Sequence, residues 1–310
     1  MRPLLVCLFI VASVAGQEPP PISIKVDVNL TNVAFIVRDT AGALASNLRK
    51  EDVEIFEDGV RQQVRFFGRS NDLPLRLALI VDASGSQEKF TRRHKHDLEA
   101  FLKATITEQD RALLVCFGNH VRVVSDFSAS VPRLMGQLER FHKGSRDFPE
   151  LEADDTRSAG TALFDAMYLT STEMMKPVPA ARKALILFSD GEDNSSAHDL
   201  MDAIEAAQTA DALFYTVRYT EARSGQLTAR NRYGIREMDR LASETGGAAF
   251  DASKKDVGPL LSQVGEELRS LYEVGYTSTN PARDGTFRKV TIHLKPEGFV
   301  VRAKPGYYAR

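Results

Sequence analysis

The sequence contains little cysteine, with two residues among 310, and this scarcity excludes a disulfide framework. Cys7 lies inside an N-terminal apolar run, and Cys116 lies in the apolar segment Ala112 to Phe117. In such a segment a cysteine is more often a small buried hydrophobic residue than a reactive thiol. We therefore expect Cys116 to be buried and inert, and the fold to be held together by its hydrophobic core.

The sequence also lacks an excess of charge of either sign. Its formal net charge is -2, from 40 basic and 42 acidic residues. Without a basic stripe, nothing in the chain attracts a phosphate backbone or an anionic membrane surface, so nucleic acid is not an expected partner. Hydrophobic residues at 43% and charged residues at 26% are ordinary for a globular protein. The length allows one large domain and a smaller one.

Long apolar runs are absent except near the N-terminus, where Leu4 to Val14 is apolar apart from Ser13. Arg2 precedes this run, and the small residues Ser13, Ala15 and Gly16 surround its end. The run is too short to span a bilayer, and no stop-transfer pattern follows it. We therefore predict a cleaved signal peptide over residues 1–16, no transmembrane segment, and a secreted or periplasmic protein. An exported chain without disulfides suits a bacterial protein.

The hydrophobic pattern divides the remaining chain into three parts. Residues 17–73 contain short alternating segments, such as Ile22 to Val28, and the hairpin signal Glu57-Asp58-Gly59. Residues 74–271 alternate continuous apolar strands with helical segments, which predicts an α/β fold with a doubly wound, mostly parallel sheet flanked by helices. Residues 272–310 return to strands. Because neither end has enough strands to bury a face alone, we expect 22–70 and 272–310 to form one small antiparallel β module.

Oxygen-bearing side chains follow two of the predicted parallel strands. Asp82-Ala83-Ser84-Gly85-Ser86 comes directly after the buried strand Leu75 to Val81, and Asp190 follows the strand Ala184 to Phe188. Thr161 precedes a predicted helix. Open α/β sheets bind ligands at the carboxyl ends of their strands, so these side chains can converge there. Carboxylate and hydroxyl oxygens suit Mg²⁺, with Mn²⁺ or Ca²⁺ as alternatives, and the few charged ligands leave a position for an outside carboxylate.

The Asp82-x-Ser84-x-Ser86 motif, Thr161 and Asp190 resemble the metal-ion-dependent adhesion site of von Willebrand factor type A domains. The resemblance covers about Leu75 to Leu271 and includes all five motif positions. It implies that Ser84 and Ser86 bind the metal directly, while Asp82, Thr161 and Asp190 bind it directly or through water. It also implies a non-enzymatic module that binds a protein or surface ligand presenting an acidic residue. The flanking segments, with Glu57-Asp58-Gly59 and Pro305-Gly306-Tyr307-Tyr308, resemble an exported bacterial branch of this family.

Two other functions remain open from the residues themselves. A Mg²⁺-dependent hydrolase or phosphotransfer enzyme also places an aspartate after a buried strand, although the sequence has no Walker A motif and no Gly-x-Ser-x-Gly elbow. A structural scaffold in which the cation only fixes loops is the third possibility. We expect His94 and His96 to be surface residues, and Asp165 and Asp193 to cap helices or to be solvated. The sequence does not indicate an oligomeric state.

Overall fold

The structure is a computed structural model that describes residues 30–69, 73–151, 160–179, 181–220, 226–252 and 257–309. The predicted signal peptide and the predicted strand Ile22 to Val28 lie outside these described residues. The regular elements follow the hydrophobic pattern closely, because the buried strands are apolar on both faces and the helices carry one apolar face.

The α/β part is built on a six-stranded sheet with the strand order β10-β9-β8-β5-β6-β7. Its strands are parallel except β7, which pairs antiparallel with β6 at one edge. Central strands are buried throughout, as expected for a sheet covered on both faces. The six strands are β5 (Leu75–Asp82), β6 (Arg111–Phe117), β7 (Val121–Ser128), β8 (Arg182–Ser189), β9 (Ala212–Arg218) and β10 (Ala249–Asp251).

In the part of the chain that the structure describes, six α-helices cover the two faces of this sheet in two layers. They are α1 (Thr91–Thr105), α2 (Val131–His142), α3 (Leu163–Leu169), α4 (Leu200–Thr209), α5 (Ala229–Thr245) and α6 (Gly258–Arg269). One core joins Leu77 and Leu79 of β5 to helices α1, α2 and α6. The other core joins Ala78 and Ile80 of the same strand to α3, α4 and α5. Alternate residues of one strand thus face opposite cores, which confirms the predicted doubly wound architecture.

The two ends of the chain form two four-stranded antiparallel sheets, with orders β13-β1-β11-β4 and β14-β12-β2-β3. The N-terminal strand β1 lies between the C-terminal strands β11 and β13, so neither end completes a sheet alone. Both sheets contribute to one hydrophobic core, which makes them a β sandwich. The strands are β1 (Thr31–Asp39), β2 (Val53–Glu57), β3 (Val60–Gln62), β4 (Val64–Arg69), β11 (Tyr272–Tyr276), β12 (Phe287–Leu294), β13 (Phe299–Ala303) and β14 (Gly306–Tyr308).

A buried carboxylate, Glu57 at the end of β2, connects the two sheets of the sandwich. It accepts hydrogen bonds from the hydroxyl groups of Tyr276 at 2.7 Å and Tyr307 at 2.9 Å, and from Ser278 Oγ. Burial beside this carboxylate raises the pKa of both tyrosines. Asp58 and Gly59 adopt positive φ angles of 48° and 81° in the β2–β3 turn, as the hairpin signal predicts. The two terminal motifs noted in the sequence therefore meet through Glu57 and Tyr307.

The prediction that His94 is a surface residue is wrong. His94 lies on α1 at 1% exposure, and its ring packs edge-on against the ring of Tyr219, with the two ring centroids 4.3 Å apart. Its neighbour His96 has a side chain that is 77% exposed, as predicted. Cys116 is fully buried in the core beside α1 and α2, as expected. None of the helices in the described ranges is long and apolar enough to cross a membrane.

Candidate metal centre

Two aspartates lie side by side at the carboxyl edge of the parallel sheet. Asp82 is the last residue of β5, and Asp190 follows the last residue of β8. The two strands are parallel neighbours, with Val81 opposite Phe188, so both chains leave the sheet at the same edge. Both aspartates are nearly buried, at 2% and 4% exposure. The topology thus brings together two carboxylates that are more than 100 residues apart in sequence.

The loop after β5 presents two hydroxyl groups next to Asp82. Asp82 Oδ1 accepts a hydrogen bond from the backbone N–H of Ser84 at 2.9 Å, which turns the chain back over the carboxylate. Ser84 Oγ and Ser86 Oγ are 3.1 Å apart. Ser86 is exposed and Ser84 is half-buried, so the pair faces outward from the buried carboxylates.

Two residues to which sequence reasoning gave no role hold the carboxylates in place. Ser189 Oγ donates to Asp82 Oδ2 at 2.6 Å, and Gln87 Nε2 donates to Asp190 Oδ2 at 2.8 Å. The Glu192 N–H donates to the other oxygen of Asp190 at 3.1 Å. Gln87 follows the Ser84–Ser86 motif directly and Ser189 precedes Asp190, so only their proximity to the motifs could have indicated a role. Each carboxylate oxygen keeps a second lone pair for a cation.

Thr161 reaches this edge through the loop that precedes α3. Its backbone N–H donates to Asn194 Oδ1 at 2.7 Å, and its carbonyl accepts from the Asn194 N–H at 3.1 Å. The next residue, Ala162, donates its N–H to the carbonyl of Gly118, and Gly118 lies against the backbone of Ala83 and Ser84. The Thr161 loop is therefore fixed both to the loop after β8 and to the loop after β6.

Asp193 and Asp165 fix the loop after β8 to helix α3. Asp193 Oδ1 accepts from the N–H groups of Leu163 and Phe164 in the first turn of α3, so its predicted capping role is confirmed. Asp165 is fully buried, and the predicted solvation is wrong for it. Its carboxylate accepts from the backbone N–H groups of Ala197 and His198, and it lies 2.7 Å from His198 Nδ1.

The electrostatics of this edge are unfavourable for two bare carboxylates. Burial, reinforced by the negative charge of Asp190, raises the pKa of Asp82 to about 7, although hydrogen bonds from Ser189 and Ser84 oppose the shift. A cation between the two aspartates would offset this repulsion and favour the ionised form of Asp82. The described residues contain no group of three or more His, Cys, Asp or Glu side chains able to hold a metal. Any metal here would therefore depend on the serine and threonine hydroxyl groups, which suits a hard cation.

Helix α5 contacts the loop after β8 so closely that only glycine fits at the contact. A Cβ on Gly234 would lie 2.6 Å from the carbonyl oxygen of Asp190 and 2.8 Å from the carbonyl carbon of Gly191. Gly191 has a φ of +80°, which favours glycine on conformational grounds as well. The helix begins at Ala229 and is capped by Thr228 Oγ1, which accepts from the Asn231 N–H at 3.0 Å.

We expect Gly234→Ala to destabilise the protein by about 1–3 kcal/mol and to weaken cation binding, because the new methyl group displaces the loop that carries Asp190. Gly136→Ala is the matched control, since Gly136 is also helical and has nothing within 4 Å of its Cβ position. That control is expected to gain about 0.5–1 kcal/mol. Urea unfolding measures both changes, and equal stability of the two variants would contradict the close contact.

A comparison with known protein families agrees with this architecture. A sequence model described as von Willebrand factor type A domain matches residues 77–259, which is more than half of the chain. No curated protein matches the sequence.

Solved structures with similar folds include a von Willebrand factor type A protein from Catenulispora acidiphila, with 13% identity, 92% of this chain and 74% of that chain covered, and a TM-score of 0.46. An aerotolerance-related membrane protein from Bacteroides fragilis NCTC 9343 has 13% identity and a TM-score of 0.47, and the match covers 63% of this chain and 98% of that chain. A third similar structure is proximal thread matrix protein 1 from the mussel byssus, solved with zinc in its metal-ion-dependent adhesion site. It has 14% identity and a TM-score of 0.46, and the match covers 68% of this chain and 49% of that chain. By the match over residues 77–259, the chain belongs to the von Willebrand factor type A domain family.

Proposed function

We propose that this protein is an exported, divalent-cation-dependent binding module that holds an acidic residue of a partner through a shared metal. The observation that carries the proposal is the meeting of Asp82 and Asp190 at one sheet edge, beneath the hydroxyl pair of Ser84 and Ser86. Membership of the von Willebrand factor type A family supports it. Export is proposed from the N-terminal sequence pattern, and the destination is secreted or periplasmic.

The proposed ligands are Asp82, Ser84, Ser86, Thr161 and Asp190. Two carboxylates balance the charge of one divalent cation, and three neutral hydroxyl groups leave it electrophilic. The cation would be Mg²⁺, with Mn²⁺ or Ca²⁺ as alternatives. When bound, it offers a coordination position that a carboxylate of the partner can occupy. The protein's own side chains hold the carboxylates apart and oriented, through Ser189, Gln87 and the backbone of the loops.

A binding role is favoured over catalysis by the hydrogen bonding of the two serines. In the described part of the chain, Ser84 and Ser86 are hydrogen-bonded to each other rather than to a histidine that could remove a proton. A nucleophilic serine would need such a base. We therefore propose a non-enzymatic module. Its proposed parts are a signal peptide (1–16) that is removed, an N-terminal β segment (17–73), the α/β domain (74–271) and a C-terminal β segment (272–310).

Cation binding tests the site directly. We expect calorimetry with Mg²⁺ or Mn²⁺ to show one site in the mature protein, and at least a tenfold loss of affinity in Ser84→Ala and in Asp190→Ala, because each change removes an oxygen ligand. Ser243→Ala, an exposed serine on α5, is the control and should bind as the native protein does. Native-like affinity in both site variants would contradict the ligand assignment.

The partner carboxylate requires a separate test. Displayed random peptides selected on the Mg²⁺-loaded protein should be enriched in Asp or Glu, and their binding should disappear in EDTA and on Asp→Asn or Glu→Gln exchange in the peptide. Binding that survives EDTA would instead favour a structural cation that only fixes loops.

A further inference from the structure

A basic surface lies at the start of α5, next to the candidate metal centre. Strand β9 runs parallel to β8, so the chain leaves β9 at the sheet edge that carries Asp190, and α5 begins there. Gly234 in the second turn of α5 contacts the backbone of Asp190. The exposed side of these turns carries Arg232, Tyr233 and Arg236, which together form the basic surface.

The two arginines of this surface are not neutralised by a carboxylate. In the described part of the chain, no acidic side chain forms an ion pair with Arg232 or Arg236, although Glu237 and Asp239 lie on the same helix. The formal net charge of the whole chain is -2, so the positive potential here is local and does not extend over the protein. Two guanidinium groups are therefore available to carboxylates of a partner.

The side chains of the basic surface are held in place before any partner binds. Arg232 Nη1 donates to the carbonyl of Leu227 at 2.7 Å, and the guanidinium of Arg236 lies over the Tyr233 ring, 5.5 Å from its centroid. Tyr233 is 45% exposed and lines a shallow depression together with Ile235. Tyrosine and arginine are enriched at protein–protein interfaces, and fixed side chains lose less entropy on binding. The apolar depression beside the charges favours a peptide over a polyphosphate chain.

The spacing of the two arginines matches that of alternate residues in an extended segment. Residues four apart on a helix are separated by about 6 Å along its axis, and alternate residues of an extended chain by about 6.6 Å on one side. Gly234 and Arg232 lie on opposite sides of α5, which is about 10 Å across. A segment bound at the metal centre would therefore need about three extended residues to reach the basic surface.

We propose that the basic surface docks an acidic segment of a partner protein, whose first carboxylate binds the metal and whose next two carboxylates, at alternate positions, pair with Arg232 and Arg236. This inference rests on the proposed function, because the first carboxylate is the one that the cation holds. It describes the partner as a segment with several acidic residues in a defined spacing, where the metal centre alone requires a single one.

Three synthetic peptides of Gly, Ser and Asp test the spacing by fluorescence anisotropy on the full mature protein, in Mg²⁺ and at low salt, where exposed ion pairs are least screened. The first has one Asp, three neutral residues and then Asp-Gly-Asp; the second has Asn-Gly-Asn in place of that pair; the third has the two Asp adjacent. We expect the first to bind about fivefold more tightly than the second, since exposed ion pairs contribute modestly. The third should be about threefold weaker than the first, because adjacent side chains of an extended chain point in opposite directions. Equal affinity of the first and second peptides, or no binding of the first, would overturn the proposal.

A double variant tests the two arginines directly. Arg232→Gln/Arg236→Gln should bind the first and second peptides with affinities within about 1.5-fold of each other. Arg65→Gln/Arg133→Gln is the matched control, since it removes the same charge from exposed positions on β4 and α2 and should keep the fivefold preference. A preference that persists in Arg232→Gln/Arg236→Gln would contradict the assignment. A short DNA oligonucleotide with three phosphates should bind at least tenfold more weakly than the first peptide, and equal binding would overturn the choice of an acidic peptide.

The metal dependence of the second peptide separates this inference from the proposed function. That peptide has only the metal-binding carboxylate, so EDTA should abolish its binding. If EDTA leaves its affinity unchanged while the first peptide keeps its advantage, the metal role fails and the basic surface stands. If EDTA abolishes the binding of both peptides and they bind alike in Mg²⁺, the metal role stands and the basic surface fails.

Discussion

Replacing Glu267 by alanine is expected to cost about 3 kcal/mol of unfolding free energy, because it removes the carboxylate that joins the α/β part to the β sandwich. Glu267 lies on α6 at 5% exposure. Arg38 of β1 donates to its Oε1 at 2.7 Å, and Tyr215 of β9 donates to its Oε2 at 3.1 Å. Arg302 of β13 forms an ion pair with the same Oε2.

The size of this effect follows from what remains after the substitution. Two arginines would keep their positive charges at a junction where neither is fully solvated, with side chains 28% and 32% exposed. Breaking a buried ion pair from one side costs more than the pair contributes, because the other charge stays behind. The partial exposure of both arginines keeps the cost at the lower end of the usual range. Glu267→Gln should be intermediate, since it keeps the shape and loses the charge.

The neighbouring Glu266 provides a matched control. It is exposed on the same helix, so Glu266→Ala removes an identical side chain without removing the junction contacts. We expect this control to stay within about 0.5 kcal/mol of the native protein. Urea unfolding of the three variants measures the difference. A Glu267→Ala variant that is as stable as Glu266→Ala would show that the cluster does not hold the two parts together.

The second large expected effect is a loss of unfolding free energy in acid, caused by the buried His94. Burial, together with the positive charges of His142 and Arg93, lowers the pKa of His94 from 6.5 to about 3. The unfolded chain takes up a proton at this histidine near pH 6.5 and the folded chain does not. The neutral histidine therefore stabilises the fold fully above pH 6.5, and this contribution is lost as the pH falls toward 3. We expect a loss of about 2 kcal/mol between pH 7 and pH 5 from this residue.

His94→Phe should flatten this part of the pH dependence, since the ring lies among aromatic residues and a phenyl group takes up no proton. The rings of Phe90, Phe188 and Tyr219 surround it. His96→Gln is the control, because the His96 side chain is 77% exposed and adjacent on α1. Unfolding free energies of the native protein and of both variants at pH 7, 6 and 5 measure this pH dependence. His142 also has a lowered pKa and adds to the loss in acid, whereas the raised pKa of Asp82 makes the opposite contribution. The effect of His94 is therefore the difference in slope between His94→Phe and the His96→Gln control. An unchanged slope in that variant would contradict the assignment to His94.

The placement of Asp82 and Asp190 at one edge of the sheet could be predicted from the sequence. Asp82 and Asp190 come immediately after segments that are apolar on both faces, and such segments indicate central parallel strands. Gln87 and Ser189 could not be predicted as partners of these carboxylates. Their contacts depend on the packing of β5 against β8, which is set by residues far away in the chain.

The burial of His94 is a second feature that the local sequence could not predict. Its local sequence, Arg92-Arg93-His94-Lys95, indicates a solvated helix face, and three of these four residues do carry charge. The histidine is nevertheless buried, because Phe90, Phe188 and Tyr219 fill the space next to it. Burial of a single position within a polar stretch depends on what packs against it, which a local pattern does not contain.

By itself, the sequence determined the kind of protein this is: an α/β domain of the von Willebrand factor type A family between two β segments, with oxygen-bearing side chains after two of its parallel strands. Hydrophobic periodicity and strand-end motifs are local, so they can be read along the chain. Only the tertiary structure decided that Glu57 meets Tyr307 and that Glu267 joins the two parts. These features arise from side chains brought together across long loops, where the interaction free energy depends on burial and distance rather than on neighbours in sequence.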